Sequence, residues 1–200
     1  MTIAAIPLTP GDARFGSDPL TADHRRELAS ARERSKKILK VAKVASFNAW
    51  CTAIIAVLSV PFAFSSITGL LLTIGFALIA FNEFQGRNRV LKFDPSGATL
   101  LGWNQLGFLA MIIVYCLWTM YTSYNEKLDV PAEVKAAIGD MGELEALVKQ
   151  LMIWFYGLVI ALSILFQGGN ALYYFSRRKS IEKFVAETPE WVRDVQSGTA

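Results

Sequence analysis

At 200 residues, with 53% apolar and only 18% charged side chains, this chain departs from soluble domains, where charged residues make up roughly 25%. The length allows one compact unit and no second sizeable domain. A net charge of +3 hides a strong local pattern, and two cysteines with a single histidine exclude a disulfide framework and a zinc-type ligand set.

Residues 1–20 read as a flexible cytoplasmic lead, broken by Pro7, Pro10, Gly11, Gly16 and Pro19. No basic segment precedes an early apolar run, so the lead is not a cleavable signal and the first span serves as an uncleaved anchor. Thr2 and the ending Ser197-Gly198-Thr199-Ala200 fit no lipidation pattern. Thr21 or Asp23 can cap a helix through Arg25–Lys43 that continues into the first span. Its apolar positions are sparse (Leu28, Ile38, Leu39 and Val41). Two readings follow: a basic membrane-surface helix that holds anionic lipid, or a solvated juxtamembrane extension whose charges set orientation.

Four long apolar stretches come next, at about 44–64, 67–84, 100–121 and 151–175. None holds Lys, Arg or Asp in its interior, and the one Glu stands at an end. About 20 apolar residues in a helix rise about 30 Å, enough to cross the hydrocarbon of a bilayer. A helix also satisfies its own backbone polar groups there. The expected fold is an all-α integral membrane protein, a bundle of four transmembrane helices within residues 21–175, in contact with the lipid bilayer. Cys51 and Cys116 both lie inside spans and read as small core residues.

The uncharged Pro61–Ser66 segment makes spans one and two an antiparallel hairpin, and Asp94-Pro95-Ser96-Gly97 is a stop and turn before span three. The acidic connection 122–150 is the longest internal one. Pro131 can start a short helix there through Val134 and Ile138, with Gly139 and Gly142 interrupting it before Leu144–Leu151 feeds span four. In the tail, 176–200, Ser176-Arg177-Arg178-Lys179 stops transfer. Ile181, Phe184 and Val185 then recur at helical spacing, and Thr188-Pro189-Glu190 caps a last helix bearing Trp191, Val192 and Val195. This tail is expected to rest an apolar edge on the interface or on the bundle.

Basic residues sort by connection. Nine precede the first span, three (Arg87, Arg89, Lys92) lie between spans two and three, and five (Arg177, Arg178, Lys179, Lys183, Arg193) occupy the tail. Only Lys127, Lys135 and Lys149 fall on the other side, among six acids. The positive-inside rule makes the rich side cytoplasmic, with both termini inside and the plasma membrane as host.

A weak internal match pairs Phe84-Gln85-Gly86-Arg87-Asn88 with Phe166-Gln167-Gly168-Gly169-Asn170, and the same offset pairs Phe93 with Phe175. A chance match and two repeated helical hairpins are both open readings. The carboxamides Asn48, Asn82, Gln85, Asn104, Gln105, Gln167 and Asn170 all fall toward the inner-leaflet half. They read as register-setting glue or as a polar vestibule. Glu83 is the one acid bordering a span, and its four-residue spacing to Arg87 favours a helical ion pair over a proton- or cation-linked role.

Small residues form a stripe at Ala42, Ala45, Ala49, Ala53 and Ala56, and Gly157 with Ala161 makes a second. Such faces let helices approach closely, inside one chain or between chains. The sequence carries no GxSxG, P-loop or dinucleotide fingerprint and no metal-ligand spacing. No catalytic group, cofactor or nucleic-acid contact is therefore expected. The expected function is an accessory or scaffold subunit that assembles as a homo-oligomer or within a larger membrane complex. The alternative is a small channel or transporter using the inner carboxamides.

Overall fold

A computed structural model describes residues 20–126 and 141–198. The reading of a short helix after Pro131 lies outside the described residues. Within them the chain is helical: α1 (Ala22–Ala63), α2 (Ile67–Leu91), α3 (Pro95–Asn125), α4 (Met141–Ser163), a π-turn (Ile164–Gly168), α5 (Gly169–Glu187) and α6 (Glu190–Gly198). Four helical stretches are long and apolar enough to cross a membrane: α1, α2, α3 and the continuous run Gly142–Glu187.

Thr21 caps α1, its hydroxyl accepting from the His24 N–H at 3.2 Å. The helix then runs unbroken through the basic segment into the apolar one. It continues past Pro61 to Ala63, although the ring removes one i→i−4 hydrogen bond there. Ser66 starts α2 by accepting from the Gly69 N–H at 3.0 Å. Asp94 caps α3 with Pro95 in its first turn, so the stretch read as a stop and turn also opens the next helix. Gly142 lies inside the first turn of α4. α5 passes through the 175/176 boundary without a break.

The helices do not share one central seam. The most extensive contact is between α1 and α2; α2 also packs on α3, and α3 on both α4 and α5. The first small-residue stripe is consumed within the chain: Ala42, Ala45, Ala49 and Ala56 are buried and Ala53 is partly buried. Thr73 on α2 donates to the Ser59 carbonyl of α1 at 3.0 Å, pinning that hairpin near its tip. The π-turn, with its i→i+5 bonds, shifts the helical register. Ile164, Leu165 and Phe166 are left outward while Ala171, Tyr174, Ile181 and Phe184 face in.

The best-packed core lies at the basic end. Ala31, Ile38 and Val41 of α1 meet Val90 and Phe93, Leu101 of α3, Ile181 and Phe184 of α5 and Val192 of α6. The basic segment packs its inner face (Ala31, Ser35, Ile38) under α5 and α6. Its outer face keeps Arg32, Lys36, Lys37 and Lys40 exposed.

Phe93 holds this corner together. The bonds Phe93 N–H to Val90 O and Asp94 N–H to Arg89 O, both 3.0 Å, end α2 in a Schellman motif. Its left-handed position, φ 57°, is filled by Phe rather than Gly, and the ring is 2% exposed with its centroid 4.8 Å from that of Phe184. Phe93→Ala is expected to lose about 3–4 kcal/mol of stability. Phe93→Gly should lose about 1 kcal/mol less, because glycine relieves the left-handed strain. Thermal unfolding in detergent checks the order, which reverses the usual preference for Ala over Gly.

Candidate functional site

Along α2 the buried positions are Ile79, Ala80, Glu83, Gly86 and Val90, spaced so that one face meets α3. Two glycines set how close that meeting is. A Cβ on Gly97 would stand 2.8 Å from Gly86 O and Val90 N, and one on Gly86 would stand 2.6 Å from the Leu101 side chain. Backbone therefore nearly touches backbone. The side chains one to two turns further along are pressed into the same seam.

Glu83 lies in that seam with no exposed surface. Counting about 1.5 Å per residue from Ile67, it stands about 24 Å along α2. Its Oε1 accepts from Gln105 Nε2 at 2.6 Å and from Asn104 Nδ2 at 3.1 Å. Asn104 Nδ2 also donates to the Ile79 carbonyl at 3.0 Å, and Asn104 Oδ1 accepts from Asn82 Nδ2 at 3.2 Å. A backbone carbonyl can only accept, so the Ile79 bond fixes which end of the Asn104 amide is the nitrogen. Glu83 Oε2 is sealed from solvent and has no hydrogen-bond partner among the described residues.

The expected ion pair with Arg87 is corrected by this arrangement. Among the described residues no salt bridge reaches Glu83, and the Arg87 guanidinium donates to Asn88 Oδ1 at 3.0 Å. The close glycine contact brings the α3 amides onto the carboxylate.

The other carboxamides divide. Asn48 on α1 donates to the Tyr174 hydroxyl on α5 at 3.0 Å, a bond that ties the first and last spans together. Gln85 and Asn170 are half-buried and stand outside both groups. Gln167, in the π-turn, has its Oε1 sealed without a partner. Tyr174, wholly buried, is the member that sequence reading missed. A tyrosine amid apolar residues was the available signal, since a buried phenol seeks a partner for its oxygen.

The Phe-Gln-Gly match does not extend to conformation. Residues 84–88 are regular α-helix, whereas 166–168 belong to the π-turn. Gly86 is packed tight while a Cβ on Gly168 would meet nothing within 4 Å. Phe93 ends a helix, but its counterpart Phe175 lies inside one.

Of the second small-residue site, Gly157 and Ala161 are both exposed, and a Cβ on Gly157 would also meet nothing within 4 Å. Clefts of about 530 Å³ open at the basic end. One is lined by Arg34, Lys37, Ile38, Lys183 and Phe184, beside the Arg34–Glu187 pair at 3.5 Å. Among the described residues no group of three or more His, Cys, Asp or Glu is placed to hold a metal ion. No protein-family model matches the chain, and neither a curated protein nor a solved structure matches it.

Proposed function

We propose that this chain is a non-enzymatic scaffold or accessory subunit of the plasma membrane. It spans the bilayer four times as a helical bundle with both termini cytoplasmic, and it assembles through the outer face of α4. Orientation rests on charge: the basic segments of α1, of the α2–α3 turn and of α5 gather at one end, and the positive-inside rule puts that end in the cytoplasm.

The observation that carries the assembly is the contrast between the two small-residue faces. The alanine stripe of α1 is used up inside the chain. On α4, Gly157 and Ala161 face outward, and only 6% of that span is buried, against 28% for α1 and α3. Lipid-facing helix surfaces have no need of small residues, whereas a second helix needs them for close approach. A second copy or a membrane partner supplies that helix.

The transport alternative draws on Glu83, a buried ionisable group at membrane depth. It needs a wet path to the amides, whereas Asn104 and Gln105 direct theirs onto the carboxylate. The scaffold reading therefore stands first. Light scattering after extraction in a gentle detergent is expected to give a particle with at least twice the protein mass of one chain. Gly157→Leu with Ala161→Leu is expected to reduce it to a single chain without unfolding it. A wild-type particle of one chain that passes solute in liposomes would sink the proposal.

A further inference from the structure

We infer that the cytoplasmic mouth of the groove between α1 and α2 binds one anionic phospholipid, whose phosphate lies between Lys43 and Arg87. The site rests on the membrane-spanning orientation proposed above and is independent of assembly through α4. Three observations lead to it. The first is a pair of cations without an anion. Arg87 has no acidic partner among the described residues, because the α3 amides take Glu83, and its guanidinium donates to the neutral Asn88 side chain. Lys43 on α1 is exposed and equally unpaired among the described residues. Beyond Glu33, α1 carries no acid, and Glu83 is the only acid on α2. Asp94, in the turn that follows, is engaged by Ser96 as the α3 cap. Neither helix supplies the counter-charge.

The second is register. Trp50 of α1 meets Phe84 of α2 edge to face, with ring centroids 5.5 Å apart. The two helices form an antiparallel hairpin, so a step toward the cytoplasm runs backward along α1 and forward along α2. Lys43, Ser46 and Trp50 recur at helical spacing on one face of α1, and Phe84, Arg87 and Leu91 do the same on α2. Arg87 therefore stands about 4.5 Å, and Lys43 about 10.5 Å, to the cytoplasmic side of the ring contact. That difference of about 6 Å lets two long side chains share one phosphate from opposite walls of the groove. Without an anion the two charges would repel.

The third observation selects a lipid over a soluble anion. The exposed face of α1 changes character where the first apolar run begins, near residue 44. On the cytoplasmic side it carries Lys36, Lys40 and Lys43, and on the other side it continues at the same spacing through Phe47, Trp50 and Ile54, all exposed. A free phosphate matches only the first half. An amphiphile with an anionic head matches both, its phosphate at the cations and its first acyl carbons against Phe47 and Trp50.

The test is quenching of tryptophan fluorescence in the full chain, reconstituted in phosphatidylcholine vesicles with a small fraction of acyl-brominated lipid. Brominated phosphatidylglycerol is compared with brominated phosphatidylcholine at equal mole fraction. A binding constant at least about fivefold higher for the anionic lipid is expected, since one Lys or Arg beside anionic lipid contributes about 1 kcal/mol. The excess quenching is expected to vanish in Trp50→Phe. The preference is expected to fall to about unity in Lys43→Gln with Arg87→Gln. Should that double variant fail to insert, either single substitution is expected to lower the preference at least about twofold. Lys36→Gln with Lys37→Gln, an equal loss of charge about two turns further out, is expected to keep it. Equal binding of the two lipids overturns the inference, as does a preference that survives without Lys43 and Arg87 or falls equally without Lys36 and Lys37. Excess quenching that persists in Trp50→Phe, or that added inorganic phosphate abolishes, overturns it as well. Quenching by neither lipid overturns the membrane-spanning orientation and the site with it.

Discussion

Gly97→Ala and Gly107→Ala, two identical changes on α3, are expected to move stability in opposite directions. At Gly97 the new methyl would stand 2.8 Å from Gly86 O and Val90 N, and neither atom can move without shifting α2 itself. Overpacking of this kind costs about 1–3 kcal/mol where side chains can adjust, and the upper end or more is expected where only backbone can. At Gly107 a Cβ meets nothing within 4 Å, so the change removes backbone freedom at no steric cost. A gain of about 0.5–1 kcal/mol is expected there. Reversible unfolding in mixed micelles measures both. Equal and small effects would show that α2 and α3 do not approach as closely as described.

Asn104→Leu is the second large change. It takes a donor from the Glu83 carboxylate, a donor from the Ile79 carbonyl and an acceptor from Asn82. A carboxylate left in the seam with Gln105 alone should cost about 2–4 kcal/mol, more than an ordinary interhelical amide bond in a membrane. With Glu83→Leu already present, the same Asn104→Leu is expected to cost at least about 1 kcal/mol less, because the charge it served is gone. The four proteins of this cycle, compared by unfolding under one condition, give the coupling. Additivity within about 0.3 kcal/mol would mean that the two side chains do not act together.

Span positions and caps were legible in the sequence because each rests on local chemistry. The apolar runs and the break at Asp94-Pro95 announce themselves within a few residues, and Thr21 was one of two caps the segment offered beside Asp23. Other features depend on which helix lies alongside. Glu83 and Arg87 have ideal spacing on one helix, yet the close approach at Gly86 and Gly97 hands the carboxylate to α3 instead. A glycine's neighbour cannot be read from its own segment, so nothing distinguished Gly97 from Gly107 in advance. Phe93 was hidden for a similar reason. The left-handed turn normally signals itself by glycine, and here the strain of a phenylalanine is offset by its burial against Phe184. The π-turn separated two segments that look alike as letters and differ as backbone.

The central claim, that the outward face of α4 meets another helix, is tested most directly by photo-crosslinking in native membranes. Trp154 lies on the Gly157–Ala161 face and is 71% exposed, so a benzophenone amino acid can replace it with little change in size. Leu71 on α2, 64% exposed, serves as the control. Illumination is expected to give one discrete adduct, heavier than the single chain, from position 154 and none from position 71. An unmodified chain at position 154, or the same ladder of products from both positions, would contradict the account.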